Sequence, residues 1–153
     1  MILRKISIAF VLSFLLFSCQ REVNPSIENL NAITDSNAYV VKIDIVAGDI
    51  GGSYTDQITL TINDDQLDVK SNDRKLSTEF NTSERNTLKD ALQKLVGLHD
   101  EEKIPLKFGG CTVRDQNYTI ENDAISMRVK PEPDGTIVYY EILDLIGYKY
   151  DRP

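Results

Sequence analysis

From Tyr39 onward the chain alternates between apolar and polar positions. Tyr39, Val41, Ile43 and Ile45 fall on one side of a segment whose other side carries Lys42 and Asp44. That period of two predicts a half-buried strand over Tyr39–Val46. Gly48 to Gly52 interrupts it. Ile58-Thr59-Leu60-Thr61-Ile62 alternates again, Asn63-Asp64-Asp65 supplies turn residues, and Leu67 and Val69 return with Asp68 and Lys70 outward. Leu76, Thr78 and Phe80 continue the pattern. Val113–Ile120, Ile125–Val129 and Thr136–Leu143 predict three more strands, with turns at Glu121-Asn122-Asp123 and Pro131 to Gly135. A short edge strand is expected over Leu106–Phe108, beside Pro105, and a terminal one over Leu145–Tyr150.

The period changes after Phe80. Leu88, Ala91, Leu92, Leu95 and Val96 recur at i, i+3, i+4, i+7 and i+8, one face of a helix. Asn81 is placed to cap it, Glu84 completes a capping box, and Gly97 marks its end. The predicted fold is α+β: an antiparallel β-sheet of about six to eight strands with a single α-helix, about 82–97, packed on one face.

The strands contain an internal echo at a constant offset of 58. Gly51-Gly52, Thr61-Ile62, Asp65, Leu67 and Val69 are answered by Gly109-Gly110, Thr119-Ile120, Asp123, Ile125 and Met127. Hairpins share turn residues and alternation, so common hairpin grammar is the expected cause. A true duplication would place the two hairpins at related positions in the sheet.

The N-terminus follows another pattern. Arg4 and Lys5 precede an apolar run, Ile6 to Phe17, of 12 residues. A transmembrane helix needs roughly 18. Charge first and a short apolar run second is signal-peptide order. Leu16, Ser18 and Cys19 resemble the lipobox of bacterial lipoproteins. The resemblance covers residues 1–19 only. It implies cleavage before Cys19, a thioether-linked diacylglycerol on Cys19 and a further acyl chain on its amine. Acyl burial contributes ~0.8 kcal/mol per CH₂, so two or three chains hold firmly. Gln20 stands where an inner-membrane retention Asp would sit, which favours the outer membrane. Gln20 to Val23 holds one acid, which favours its periplasmic side over the cell surface. The domain plan is a lipoprotein signal peptide (1–18), a lipidated flexible tether (19–38) and one α+β domain (39–153). The tether reading rests on the Asn- and Ser-rich composition of Gln20–Ala38 and on Pro25. Its average span would be roughly 25 Å. Ile27, Leu30 and Ile33 within it have helix-like spacing.

Charge narrows the partners. The 153 residues hold 17 basic and 24 acidic side chains. Loss of residues 1–18 removes Arg4 and Lys5, leaving 135 residues with 15 basic side chains and a formal charge of −9. Such a surface repels phosphate backbones and anionic headgroups. No nucleic-acid partner is expected, and membrane attachment falls to the lipid. With Cys19 acylated, Cys111 has no partner for an intrachain disulfide.

Candidate chemistry is sparse. Cys111, between Gly110 and Thr112, would need an electropositive setting and His99 to act as a nucleophile. A buried strand cysteine is the commoner role. His99 is the single histidine, so no zinc site is expected. Glu141 and Asp144 are acids near aromatic residues, the ordinary composition of strand ends. No metal, cofactor or catalytic residue is assigned, and a hydrolase through Cys111 or a carboxylate pair is the least favoured outcome. Seven tyrosines, Tyr39, Tyr54, Tyr118, Tyr139, Tyr140, Tyr148 and Tyr150, give large contact area with a polar tip. Tyr140, Tyr148 and Tyr150 are the candidate binding residues. The expected function is a non-enzymatic protein-binding or inhibitory module anchored in the bacterial envelope. The alternative is a small-ligand or glycan binder using the C-terminal tyrosines.

Overall fold

The structure, a computed structural model, describes residues 20–49, 52–72, 74–100, 113–131 and 135–147. Its strands are β1 (Arg21–Val23), β2 (Ala38–Asp49), β3 (Gly52–Asn63), β4 (Gln66–Lys70), β5 (Lys75–Glu79), β6 (Val113–Glu121) and β7 (Ile125–Val129). Its helices are α1 (Ile27–Thr34), α2 (Thr82–Gly97) and α3 (Gly135–Leu145). The strands form one sheet in the order β1-β7-β6-β2-β3-β4-β5. All pairings are antiparallel except β1 with β7.

Local chemistry explains the turns. Between β3 and β4, Asp64 sits at φ 48, the left-handed region that Asp tolerates better than most side chains. Between β6 and β7 the Asn122 side-chain oxygen accepts from the backbone N–H groups of Ala124 and Ile125, each at 3.0 Å. Helix α2 begins with the expected capping box. Ser83 and Glu84 N–H donate to Asn81 Oδ1, and Asn81 N–H donates to Glu84 Oε2 at 2.8 Å. Leu88, Ala91, Leu92 and Leu95 are its buried face.

The single-helix expectation is corrected by α1 and α3. Thr136–Leu143, predicted as a strand, lies within α3. Its buried residues Val138, Tyr139, Ile142 and Leu143 recur at helical spacing, and Ile146 just beyond its end continues the stripe. The β-branched and aromatic run favours strand in isolation, and packing against α2 outweighs that preference. Gly135 starts α3 hard against Pro131, where an added Cβ would stand 2.6 Å from the proline Cβ. Of the terminal strand expected over Leu145–Tyr150, Leu145 ends α3 and Ile146 follows in a turn. Tyr148–Tyr150 and Leu106–Phe108 lie outside the described residues.

The flexible tether expected over 19–38 is corrected as well. Arg21–Val23 pairs with Ile125–Met127, and Ser26 caps α1 by accepting from Asn29 N–H at 3.1 Å. Leu30 and Ile33 are 0% exposed, while Ile27 remains 44% exposed. Burying a leucine or isoleucine fully is worth about 1.5–3 kcal/mol, enough to hold a polar segment of two helical turns in place. The described strands and helices thus lie within residues 20–147, and all but β5 contribute side chains to one core.

The core fills one face of the sheet. The register puts Val23, Met127, Ile120, Val41, Leu60, Val69 and Leu76 in one row across all seven strands. Val129, Tyr118, Ile43 and Ile58 form the next. Buried Gln116 accepts from Tyr118 Oη at 2.9 Å and donates to Thr136 Oγ1 at 3.1 Å, tying β6 to the start of α3.

The echoing hairpins, β3–β4 and β6–β7, flank β2 on opposite sides. Their first strands run in the same direction and turn the same apolar face to the helices. Their return strands lead away from β2 in opposite directions. No rotation superposes both strands and apolar faces, so the echo is hairpin grammar rather than a repeated unit. The loops differ accordingly: Asn63 pairs directly with Gln66, whereas Glu121 pairs with Ser126.

Candidate interaction surface

The outer face of the sheet is set by the same register, one residue out of phase. Arg128, Thr119, Lys42, Thr59, Lys70 and Lys75 lie in a single row across β7, β6, β2, β3, β4 and β5. All four cations in it are exposed. Neighbouring strands are ~4.8 Å apart, so Arg128 to Lys42 and Lys42 to Lys70 each span roughly 10 Å. The next row along the strands is acidic: Glu22, Ser126, Glu121, Val40, Thr61, Asp68 and Ser77. Lys42 and Glu121 form an ion pair between the two rows. Asp68 accepts from Ser77 Oγ, which accepts in turn from Gln66 Nε2 at 2.7 Å.

Two open grooves border this face. One, about 260 Å³, is lined by Glu22, Val23, Asn24, Pro25, His99, Arg128 and Lys130. Arg128 belongs to both groove and cationic row, so the positive track continues around the β1–β7 side of the sheet. The other, about 510 Å³, lies at the β3–β4 turn and the end of β5, lined by Asn63 to Gln66 and Ser77 to Glu79.

The sequence candidates fare differently. Tyr140 is half-buried on α3, with its ring 5.5 Å from that of Tyr139 at a 50° tilt. Tyr148, Tyr150, Cys111 and Cys19 lie outside the described residues, so a three-tyrosine surface is not assembled among those described. His99 accepts from Lys130 N–H through Nδ1 at 3.0 Å and bridges to Pro131. It fastens the end of α2 to β7, a structural task. Glu141 is paired with Lys94 at 2.7 Å, and Asp144 follows one turn later on the same helix. Tyr39, at the start of β2, has its hydroxyl pushed up to about 12 by burial, with the Arg85 guanidinium pulling the other way. It therefore stays protonated at neutral pH. Among the described residues no cluster of three metal-ligating side chains occurs. None of the described helices is long and apolar enough to cross a membrane.

The cationic row was not seen in the sequence. Lys42, Lys70, Lys75 and Arg128 are scattered singly along the chain. Lys42 and Lys70 fall on the polar side of predicted strands, whereas Lys75 belongs to the turn before the predicted Leu76 segment and Arg128 lies in a predicted strand whose polar side was not singled out. No protein-family model and no curated protein matches the chain.

Proposed function

We propose that the chain is a lipid-anchored protein of the bacterial envelope, held through Cys19 in the outer membrane and facing the periplasm. It acts as a non-enzymatic module that binds an acidic segment of another protein on the outer face of its sheet. The observation that carries this reading is the cationic row. Four exposed cations cross six strands without an acid among them, on a molecule whose charge is otherwise strongly negative. Three helices cover the opposite face, and no described element covers this one. A track of fixed positive charge, with Arg128, Lys42 and Lys70 roughly 10 Å apart and Lys75 directly beside Lys70, favours acidic partners and speeds their encounter. The two intervening threonines add hydroxyl donors along it. With Cys19 acylated, β1 begins two residues after the anchor. The β1 side of the sheet then sits at the headgroups and the β5 side points away from them.

The binding reading is tested by affinity capture from envelope extract with the chain from Gln20 onward. One protein recovered at equal stoichiometry, and lost from the Lys70→Glu, Arg128→Glu double variant, is expected. Equal recovery by wild type and variant would sink the reading. The anchor is tested separately by fractionating cells that express the full chain. Cys19→Ser is expected to leave an unprocessed precursor lacking the acyl mass, and an unchanged mature mass would refute acylation at Cys19.

A further inference from the structure

Strand β5 closes one side of the sheet, and among the described residues no strand pairs with its outer edge. The ladder to β4 fixes which backbone groups face outward. Ser71 N–H donates to the Arg74 carbonyl at 2.9 Å and Phe80 N–H to the Asp65 carbonyl at 2.7 Å. Antiparallel pairs bond at every second residue. Leu76 and Thr78 therefore bond toward β4, and Lys75, Ser77 and Glu79 present N–H and C=O to the open edge. No proline or bulge blunts this edge, and all five of its residues are exposed. Leu76 continues an apolar row of the core yet is 47% exposed.

The sequence of β5, Lys75-Leu76-Ser77-Thr78-Glu79, is self-complementary in antiparallel pairing about its centre. We propose that β5 pairs with β5 of a second copy of this chain, the two-fold axis passing between the two Ser77 residues. In that register Lys75 of each copy lies opposite Glu79 of the other, and Leu76 opposite Thr78. The outward-facing residues become bonded pairs with one another, giving roughly six main-chain hydrogen bonds. The two Leu76 side chains become diagonal neighbours across the axis on the apolar face, which covers both. A further feature asks for the same partner. Lys75 stands directly opposite Lys70 within one chain, a like-charge pair that disfavours the isolated edge. Glu79 of the second copy would lie on the other side of Lys75 and relieve it. The result is a continuous sheet of two copies, joined at the sides farthest from β1. This pairing engages Lys75, the last cation of the outer-face row, and leaves Arg128, Lys42 and Lys70 untouched.

The contact is small, so dissociation in the micromolar-to-millimolar range is expected. The test is sedimentation velocity of the chain from Gln20, which contains every described element, up to about 1 mM. Wild type is expected to show a concentration-dependent dimer. Lys75→Glu and Glu79→Lys each set like charges opposite one another and should weaken it about tenfold or more. The double variant Lys75→Glu, Glu79→Lys restores both pairs and should return to within about threefold of wild type. Residues 75 and 79 are too far apart on one strand to rescue each other within a single copy. Ser77→Pro, which removes a central outward N–H, should abolish dimerisation. As a variant that adds a signal, Ser77→Cys in a Cys111→Ser background should oxidise to a covalent dimer. A chain monomeric at 1 mM would overturn the proposal. So would a double variant as weak as the singles, or Ser77→Pro dimerising like wild type.

Discussion

The two faces of the sheet are built from the same strands and answer to different physics. On the inner face, Val41, Leu60 and Ile120 are buried neighbours under three helices. One residue along, Lys42 is exposed and Thr59 and Thr119 are half-buried. Inner positions are held by shape and by loss of water contact, and truncating one leaves a cavity. Outer positions are held by a register that the inner face imposes. The difference shows how a charge pattern arises without local specification: the core sets the register, and the register lines up the cations. Substitution should therefore be costly for folding on one face and nearly neutral on the other.

The largest effect is expected where the inner face was hardest to recognise. Leu30 lies in a segment of tether-like composition and is fully buried. Leu30→Ala should destabilise by about 2–5 kcal/mol. Chemical denaturation of the chain from Gln20 measures it. A change near zero would return residues 20–38 to the role of a tether and remove α1 from the inner layer.

Tyr39 gives the inner face a pH dependence. Its hydroxyl titrates at 10.0 in the ordinary case and at about 12 in the fold. Below pH 10 the proton is bound in folded and unfolded chains alike, and the contribution is fully present. Between about 10 and 12 the unfolded chain gives up a proton that the folded chain keeps. Deprotonation then favours unfolding, and stability is lost as pH rises through the folded value. The loss approaches about 2–3 kcal/mol. Tyr39→Phe should flatten that part of the profile when unfolding is compared at pH 9 and pH 11.5. Parallel profiles for the two proteins would show that Tyr39 is not held in the dry layer.

Legibility followed the same division. Helix α2 was readable because its cap, Asn81 with Glu84, and its stripe, Leu88 to Leu95, are both local. Helix α3 was misread because Thr136 to Tyr140 is β-branched and aromatic throughout. Its helical character shows in the recurrence of Val138, Ile142 and Ile146 and depends on contact with α2. Helix α1 offered two buried residues in a polar frame, and such a frame does not distinguish tether from docked helix. The cationic row was illegible because it exists only once β2, β4, β5 and β7 are in register. The alternation did place Lys42 and Lys70 on the polar sides of their strands, but it left Lys75 in a turn and gave Arg128 no face.

Gly135 tests how tightly the inner layer is closed at its corner. An added Cβ would lie 2.6 and 2.7 Å from Pro131 carbons, far inside contact distance. Gly135→Ala gains helix propensity inside α3 and loses more to overpacking. A net loss of about 1–2 kcal/mol is expected. If thermal unfolding shows Gly135→Ala to be stabilising, α3 has room to move away from Pro131, and the boundary between packed and open regions is softer than described.

The smallest effect belongs to the outer face, and the contrast depends on its being small. Lys42 pairs with Glu121 between the cationic and acidic rows, with Lys42 48% exposed. Exposed pairs contribute about 0.2–1 kcal/mol and are screened by salt. Lys42→Ala should therefore change stability by no more than about 0.5 kcal/mol at physiological ionic strength, and by less in 1 M salt. Glu121 is 16% exposed and accepts from Ser126 Oγ at 3.5 Å, so its carboxylate keeps part of its hydration and one donor when Lys42 is removed. The same substitution removes the centre of the positive track and should reduce capture of an acidic partner far more than it reduces stability. A loss above about 2 kcal/mol would mean that the ion pair supports the fold, and the outer face could no longer be treated as free to serve binding alone.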